Sequence, residues 1–79
     1  MIKILWADDE IDLLRPHIIY LEDKGYALTP VRSGDEALNM LTKSSFDLIF
    51  LDENMPGLTG LEVLTIIKEK YSSIPVIMI

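Results

Sequence analysis

The sequence predicts an α/β fold, a doubly wound parallel sheet with helices on both faces. Three observations carry that expectation. Short runs rich in Ile, Leu and Val recur at Ile2–Ala7, Phe46–Leu51 and Val76–Ile79, interrupted only by Lys3 and Asp47. Runs of this length and composition read as strands buried on both faces. Between them lie segments with helical spacing, and alternation of strand and helix gives a parallel sheet.

Each element follows from local chemistry. The first strand is Ile2–Ala7. In the helix after it, Ile11, Leu14, Ile18 and Leu21 share one face, and Gly25 marks the stop. Pro16 falls in the second turn of that helix, where it kinks the helix or shifts its start. Tyr26–Val31 reads as the second strand. Pro30 cannot donate to a ladder, so this strand belongs at an edge. Ser33 and Glu36 have capping-box spacing and open a helix to about Thr42, with Ala37, Leu38 and Leu41 inward. Phe46–Leu51 is the third strand. Thr59 and Glu62 form a second capping box, opening a helix to about Tyr71 with Leu61, Leu64, Ile67 and Tyr71 inward. Ser72–Pro75 is a loop into the fourth strand, Val76–Ile79.

The order is thus βαβαβαβ. Right-handed crossovers and an edge position for strand two select the flavodoxin-like strand order 2-1-3-4. The last strand has no covering helix after it. That predicts a fragment spanning residues 1–79 of a longer domain, truncated before a fifth strand, or a fold completed by a partner.

Composition narrows the function classes. The 79 residues allow at most one domain. At 49% hydrophobic residues the chain is too apolar for a disordered segment. With no cysteine, disulfides and thiolate metal sites are excluded. No apolar run approaches the roughly 20 residues of a membrane span. No basic region leads into an apolar stretch and cleavage site, so the cytoplasm is the default location. The net charge of −6, with lysines and arginines scattered, disfavours direct nucleic-acid binding. Anionic phosphate approaches such a surface only where a cation or a cluster of donors screens the acids.

The acids at the strand ends carry the functional reading. Asp8 and Asp9 end the first strand and Asp52 ends the third. In the expected order these strands are neighbours at the switch point, where ligands bind outside the carboxyl ends. Three carboxylates converging there repel, and a hard divalent cation removes the conflict. Mg2+ suits such a site because it retains waters for an incoming phosphoryl group. Met55-Pro56-Gly57 is a turn signal that aims backbone back at the strand end, making the Asn54 carbonyl a further ligand candidate. Each residue also has a plainer reading. Asp8, Asp9 and Glu10 serve equally as helix-capping acids, and Asp52 alone as a loop acid. His17 reads as a surface or boundary residue, Trp6 as packing in the sheet or on the first helix, and Met40, Met55 and Met78 as packing residues.

Taken together, Ile4-Leu5-Trp6-Ala7-Asp8-Asp9-Glu10, Asp47-Leu48-Ile49-Phe50-Leu51-Asp52, Met55-Pro56-Gly57-Leu58-Thr59-Gly60 and Pro75-Val76-Ile77-Met78-Ile79 resemble the CheY-like receiver domains of two-component response regulators. The resemblance covers the whole chain in order. It implies that Asp52 is the phosphoacceptor, taking a phosphoryl group from a phosphohistidine on a sensor histidine kinase. It implies Mg2+ bound directly by Asp9, Asp52 and the Asn54 carbonyl, and by Asp8 through water. It implies a signalling module that switches an output domain or downstream regulator rather than an enzyme with turnover beyond its own phosphorylation and dephosphorylation. Self-association into a homodimer stays open. The Ser or Thr and the Lys that the family places after its fourth and fifth strands fall beyond Ile79. The wording of Trp6–Glu10 and Asp52–Gly57 is also similar to PorX-type regulators, which join a receiver to a PglZ-type phosphatase domain.

Two other classes compete. A metal-dependent phosphatase would use paired strand-end acids, but Asp8-Asp9-Glu10 lacks the usual Asp-x-Asp. An interaction module independent of phosphate is the other.

Overall fold

The computed structural model describes residues Met1–Ile79. Four strands form one all-parallel sheet in the order β2-β1-β3-β4. They are β1 (Lys3–Ala7), β2 (Ala27–Val31), β3 (Leu48–Leu51) and β4 (Val76–Met78). Each is one or two residues shorter than the apolar run that predicted it. The flavodoxin-like order expected from Pro30 is the one observed, with β2 at the edge. The register places Ala7 opposite Val31 on one side and Leu51 on the other. The residues that follow β1 and β3 therefore emerge level with each other.

One face of the sheet is fully packed and the other is packed mainly over β1, with Phe50 half-buried and Ile77 exposed. Leu5, Ala7, Ile49 and Leu51 meet Ala37 and Leu41 of α2 (Gly34–Lys43) and Val63 and Ile67 of α3 (Gly60–Lys70). On the opposite face Trp6 packs against Ile11 and Ile18. Its ring stands edge-on to Phe50, with centroids 5.1 Å apart and planes at 89°, a favourable quadrupole arrangement. Trp6 thus packs both in the sheet and on the first helix, and Met55 is buried. His17 is exposed.

Three local expectations need correction. The first helix is split: a 3-10 turn, Ile11–Leu14, precedes α1 (Arg15–Asp23). Pro16 sits at the start of α1, where its missing N–H has no helical partner to lose. It shifts the start and does not kink the helix. Ser33 caps α2 by accepting from the Glu36 N–H at 3.1 Å. Glu36 does not complete a capping box, because its Oε1 accepts from the N–H of Arg32 instead of Ser33. At Thr59 both halves of the box are present, at 2.9 and 3.2 Å.

Leu61, expected inward, is 65% exposed. The buried line of α3 is Gly60, Val63 and Ile67, with Leu64 and Tyr71 flanking it. The close seat of Gly60 fixes this rotation. A Cβ at position 60 would come within 3.0 Å of the Asp52 carbonyl, the Glu53 Cα and the Met78 side chain. Only the residue without a side chain lets the helix start that near the end of β3.

Candidate functional site

The site is built by two strand ends and the loops they release. Asp8 leaves β1 with its N–H donating to the Val31 carbonyl at 3.1 Å. Asp52 leaves β3 with its N–H donating to the Ala7 carbonyl at 3.0 Å. The sheet's own hydrogen bonding therefore carries one step beyond the strands and sets both Cα positions. Asp8 Oδ1 accepts the Glu10 N–H at 2.9 Å, which closes a tight local turn, while the 3-10 turn that follows starts at Glu10 with no side-chain cap, so the helix-capping reading of these acids does not hold. Asp52 Oδ1 accepts the Asn54 N–H at 3.0 Å. The Met55-Pro56-Gly57 turn that bends this loop holds Gly57 at φ +78°, a left-handed conformation.

Carboxylate oxygens of Asp8, Asp9 and Asp52 all lie within 4.8 Å of one another. Asp8 and Asp52 are half-buried and Asp9 is exposed. Two ligands on opposite sides of one magnesium ion at about 2.1 Å stand about 4.2 Å apart, so acids this close could share an ion, directly or through a bound water, after small side-chain adjustment. The donors are all hard oxygens. His17, the only histidine, is not among them, which disfavours a zinc-type donor set. Asn54 is brought beside Asp52 through its backbone.

The cluster is electrostatically uncomfortable without a cation. Burial pushes the Asp8 carboxyl above its ordinary value. The Glu10 N–H opposes that rise, and the neighbouring Asp52 and Asp9 charges add to it. A raised acid pKa means the folded state holds this proton more tightly than the unfolded chain. Its contribution is fully favourable below the unfolded value of 3.8 and is lost as pH rises through the folded value. At neutral pH the ionised cluster thus destabilises the metal-free protein. Asp8→Asn, whose side-chain oxygen still accepts from Glu10, is expected to stabilise the metal-free protein by about 1 kcal/mol, discounted for solvent screening. That raises Tm by about 4–8 °C. Melting curves from pH 3 to 8 with a chelator check this: the gap between variant and parent should open as pH rises.

A family profile described as the response regulator receiver domain matches residues 4–79. This chain belongs to that family. The receiver domain is the signalling module of two-component systems, and the relatives agree with the assignment. The transcriptional regulatory protein ResD of Bacillus subtilis (strain 168) is 43% identical over 77 residues, covering 98% of this chain and 32% of ResD. The chain therefore spans about a third of the length of that curated relative. The response regulator TrrA of Thermotoga maritima, solved in complex with Mg(2+)-BeF, superposes with a TM-score of 0.91 at 35% identity, covering 99% of this chain and 68% of that one. TrrA bound to the histidine kinase ThkA gives 0.90 at 35% identity, over 99% of this chain and 67% of that one. No helix of this receiver is long and apolar enough to cross a membrane.

Two features of the site were not read from sequence. One is the seat of Gly60 against Asp52 and Glu53. The other is an ion pair between Asp12 and Arg32, 20 positions apart. The available signal for the second was topological: the order 2-1-3 sets the loop after β1 beside the loop after β2.

Proposed function

We propose that this receiver is a phosphoacceptor switch in which Asp52 takes a phosphoryl group from a sensor histidine kinase in the presence of Mg2+. The observation that carries the reading is the convergence of Asp8, Asp9 and Asp52 at the carboxyl ends of two adjacent parallel strands. Asp9, Asp52 and the Asn54 carbonyl would hold the ion directly and Asp8 through water. When bound, the ion supplies neutralisation of the phosphoryl oxygens.

The chain's own residues do the rest. The Asn54 N–H fixes one Asp52 oxygen and hence the plane of the carboxylate. A carboxylate oxygen of Asp52 attacks phosphorus in line with the bond to the imidazole nitrogen of the donor. The O–P bond forms, the P–N bond breaks, and its electron pair returns to the imidazole, which leaves as a neutral ring because its other nitrogen already carries a proton. The product is an acyl phosphate, whose added charge at the lip of the sheet shifts the surrounding surface between two states. The complex of ThkA with TrrA supports a histidine kinase as donor. The Mg(2+)-BeF complex of TrrA supports the ion.

The output would be a further domain or a separate downstream regulator. The name of ResD favours a transcriptional output. The PorX-type wording of residues 6–10 and 52–57 favours a PglZ-type output, and the reading frame after Ile79 decides between them. A cytoplasmic location fits either.

Asp52→Asn tests the acceptor. Incubated with a small phosphodonor and MgCl2, the parent should acquire acid-labile, base-labile label and the variant none. Equal labelling of the two would remove Asp52 as acceptor. Steady turnover of phosphate esters would favour the phosphatase class, and partner binding untouched by Asp52→Asn would favour the phosphate-independent module.

A further inference from the structure

Arg32 grips Asp12 through both guanidinium nitrogens, NH1 to Oδ2 at 2.8 Å and NH2 to Oδ1 at 3.1 Å. This fork-to-fork geometry fixes direction as well as distance. Both side chains are exposed, at 58% and 75%, so the pair adds little to global stability. Its position is what matters. Asp8 N–H binds the carbonyl of Val31, and Val31 is followed at once by Arg32. The segment Asp8–Asp12 is therefore tied at both ends to two consecutive residues at the end of β2. Glu36 in turn anchors the Arg32 N–H. Within the tied segment Asp8 is held by Glu10, whereas Asp9 is exposed and takes its place from the backbone alone.

We propose that the Asp12–Arg32 pair is a positioning clamp that holds the Asp8–Asp9 segment in its cation-binding shape. This rests on the Mg2+ reading above. Neither residue belongs to the Asp8, Asp9 and Asp52 cluster. The clamp preorganises the segment, so that Asp9 does not have to be ordered when the ion arrives.

Charge and clamping predict opposite signs for one variant. Arg32→Met keeps the aliphatic stem but removes a positive charge, and charge alone would leave a cation bound as tightly or more tightly. Loss of the clamp weakens it. Isothermal titration with MgCl2 at low salt should show Arg32→Met binding two- to five-fold more weakly than the parent, the range set by the strength of exposed pairs. Its Tm should stay within about 4 °C of the parent. Arg32→Lys, which keeps the charge and loses the fork, should also bind more weakly than the parent, and it carries the same test if Arg32→Met fails to fold. Equal or tighter binding by the variants would overturn the clamp alone. No magnesium binding by the parent would overturn the receiver-site reading and the clamp with it.

Discussion

Gly60→Ala lowers Tm by about 12–24 °C and weakens cation binding at the same time. The added methyl would meet the carbonyl of Asp52 and the Cα of Glu53, both backbone atoms, and only one flexible neighbour, the Met78 side chain. A flexible side chain yields cheaply, but a strand end does not. Overpacking against atoms that cannot retreat costs about 3 kcal/mol, the upper part of the usual range. In a domain of this size each kcal/mol shifts Tm by about 4–8 °C. Relief comes only by moving α3 away from β3 or by displacing Asp52 and Glu53, and either change disturbs the site. Gly57→Ala is the control. A Cβ there meets nothing within 4 Å, so the effect is limited to the strain of φ +78°, about 1–2 kcal/mol. Thermal melts of both variants, with and without MgCl2, check the contrast.

Asp9→Asn is expected to reduce Mg2+ affinity by about 100-fold or more. Outer-shell partners of metal ligands typically account for 10- to 100-fold, and Asp9 is proposed to bind the ion itself. The fold should be spared, since Asp9 is exposed and holds no other part of the chain in place. The consequence is visible in stability. A ligand at about 100 times its Kd stabilises the native state by about 2.7 kcal/mol, which raises Tm of the parent by about 10–20 °C. Asp9→Asn should lose nearly all of that rise. Asp47→Asn should keep it: Asp47 lies at the opposite end of β3, where its Oδ2 accepts the Lys3 N–H at 2.8 Å. If Asp9→Asn gained as much from MgCl2 as the parent does, Asp9 would be no ligand.

Strand order and the convergence of acids were legible because each rests on one strong local fact. Pro30 excludes β2 from the sheet interior, and that placement makes β1 and β3 neighbours. Once they are neighbours, Asp8 and Asp52 emerge from equivalent register positions, and their meeting follows. The rotation of α3 was not legible. Leu61, Val63, Leu64, Ile66 and Ile67 give that helix apolar residues on most of its circumference, so periodicity alone does not choose a face. The close approach of Gly60 chooses it, and closeness of backbone is a tertiary fact. The same holds for Glu36, which has the spacing of a capping box but finds a better donor at Arg32 N–H, one residue upstream. The start of α1 lay between the two, since Pro16 announced a disturbance without saying which kind. Side-chain pairing between loops, as in Asp12 and Arg32, depends on a fork reaching across two connections and leaves no periodic trace.

The most direct test is to locate the phosphoryl group. The protein is incubated with a small phosphodonor and MgCl2, treated to convert the acyl phosphate to a stable derivative, and mapped by mass spectrometry. One modified site per chain is expected, on the peptide carrying Asp52, with the modification abolished by a chelator. A modification on any other residue, or one at Asp52 that forms equally well without a divalent cation, would contradict it.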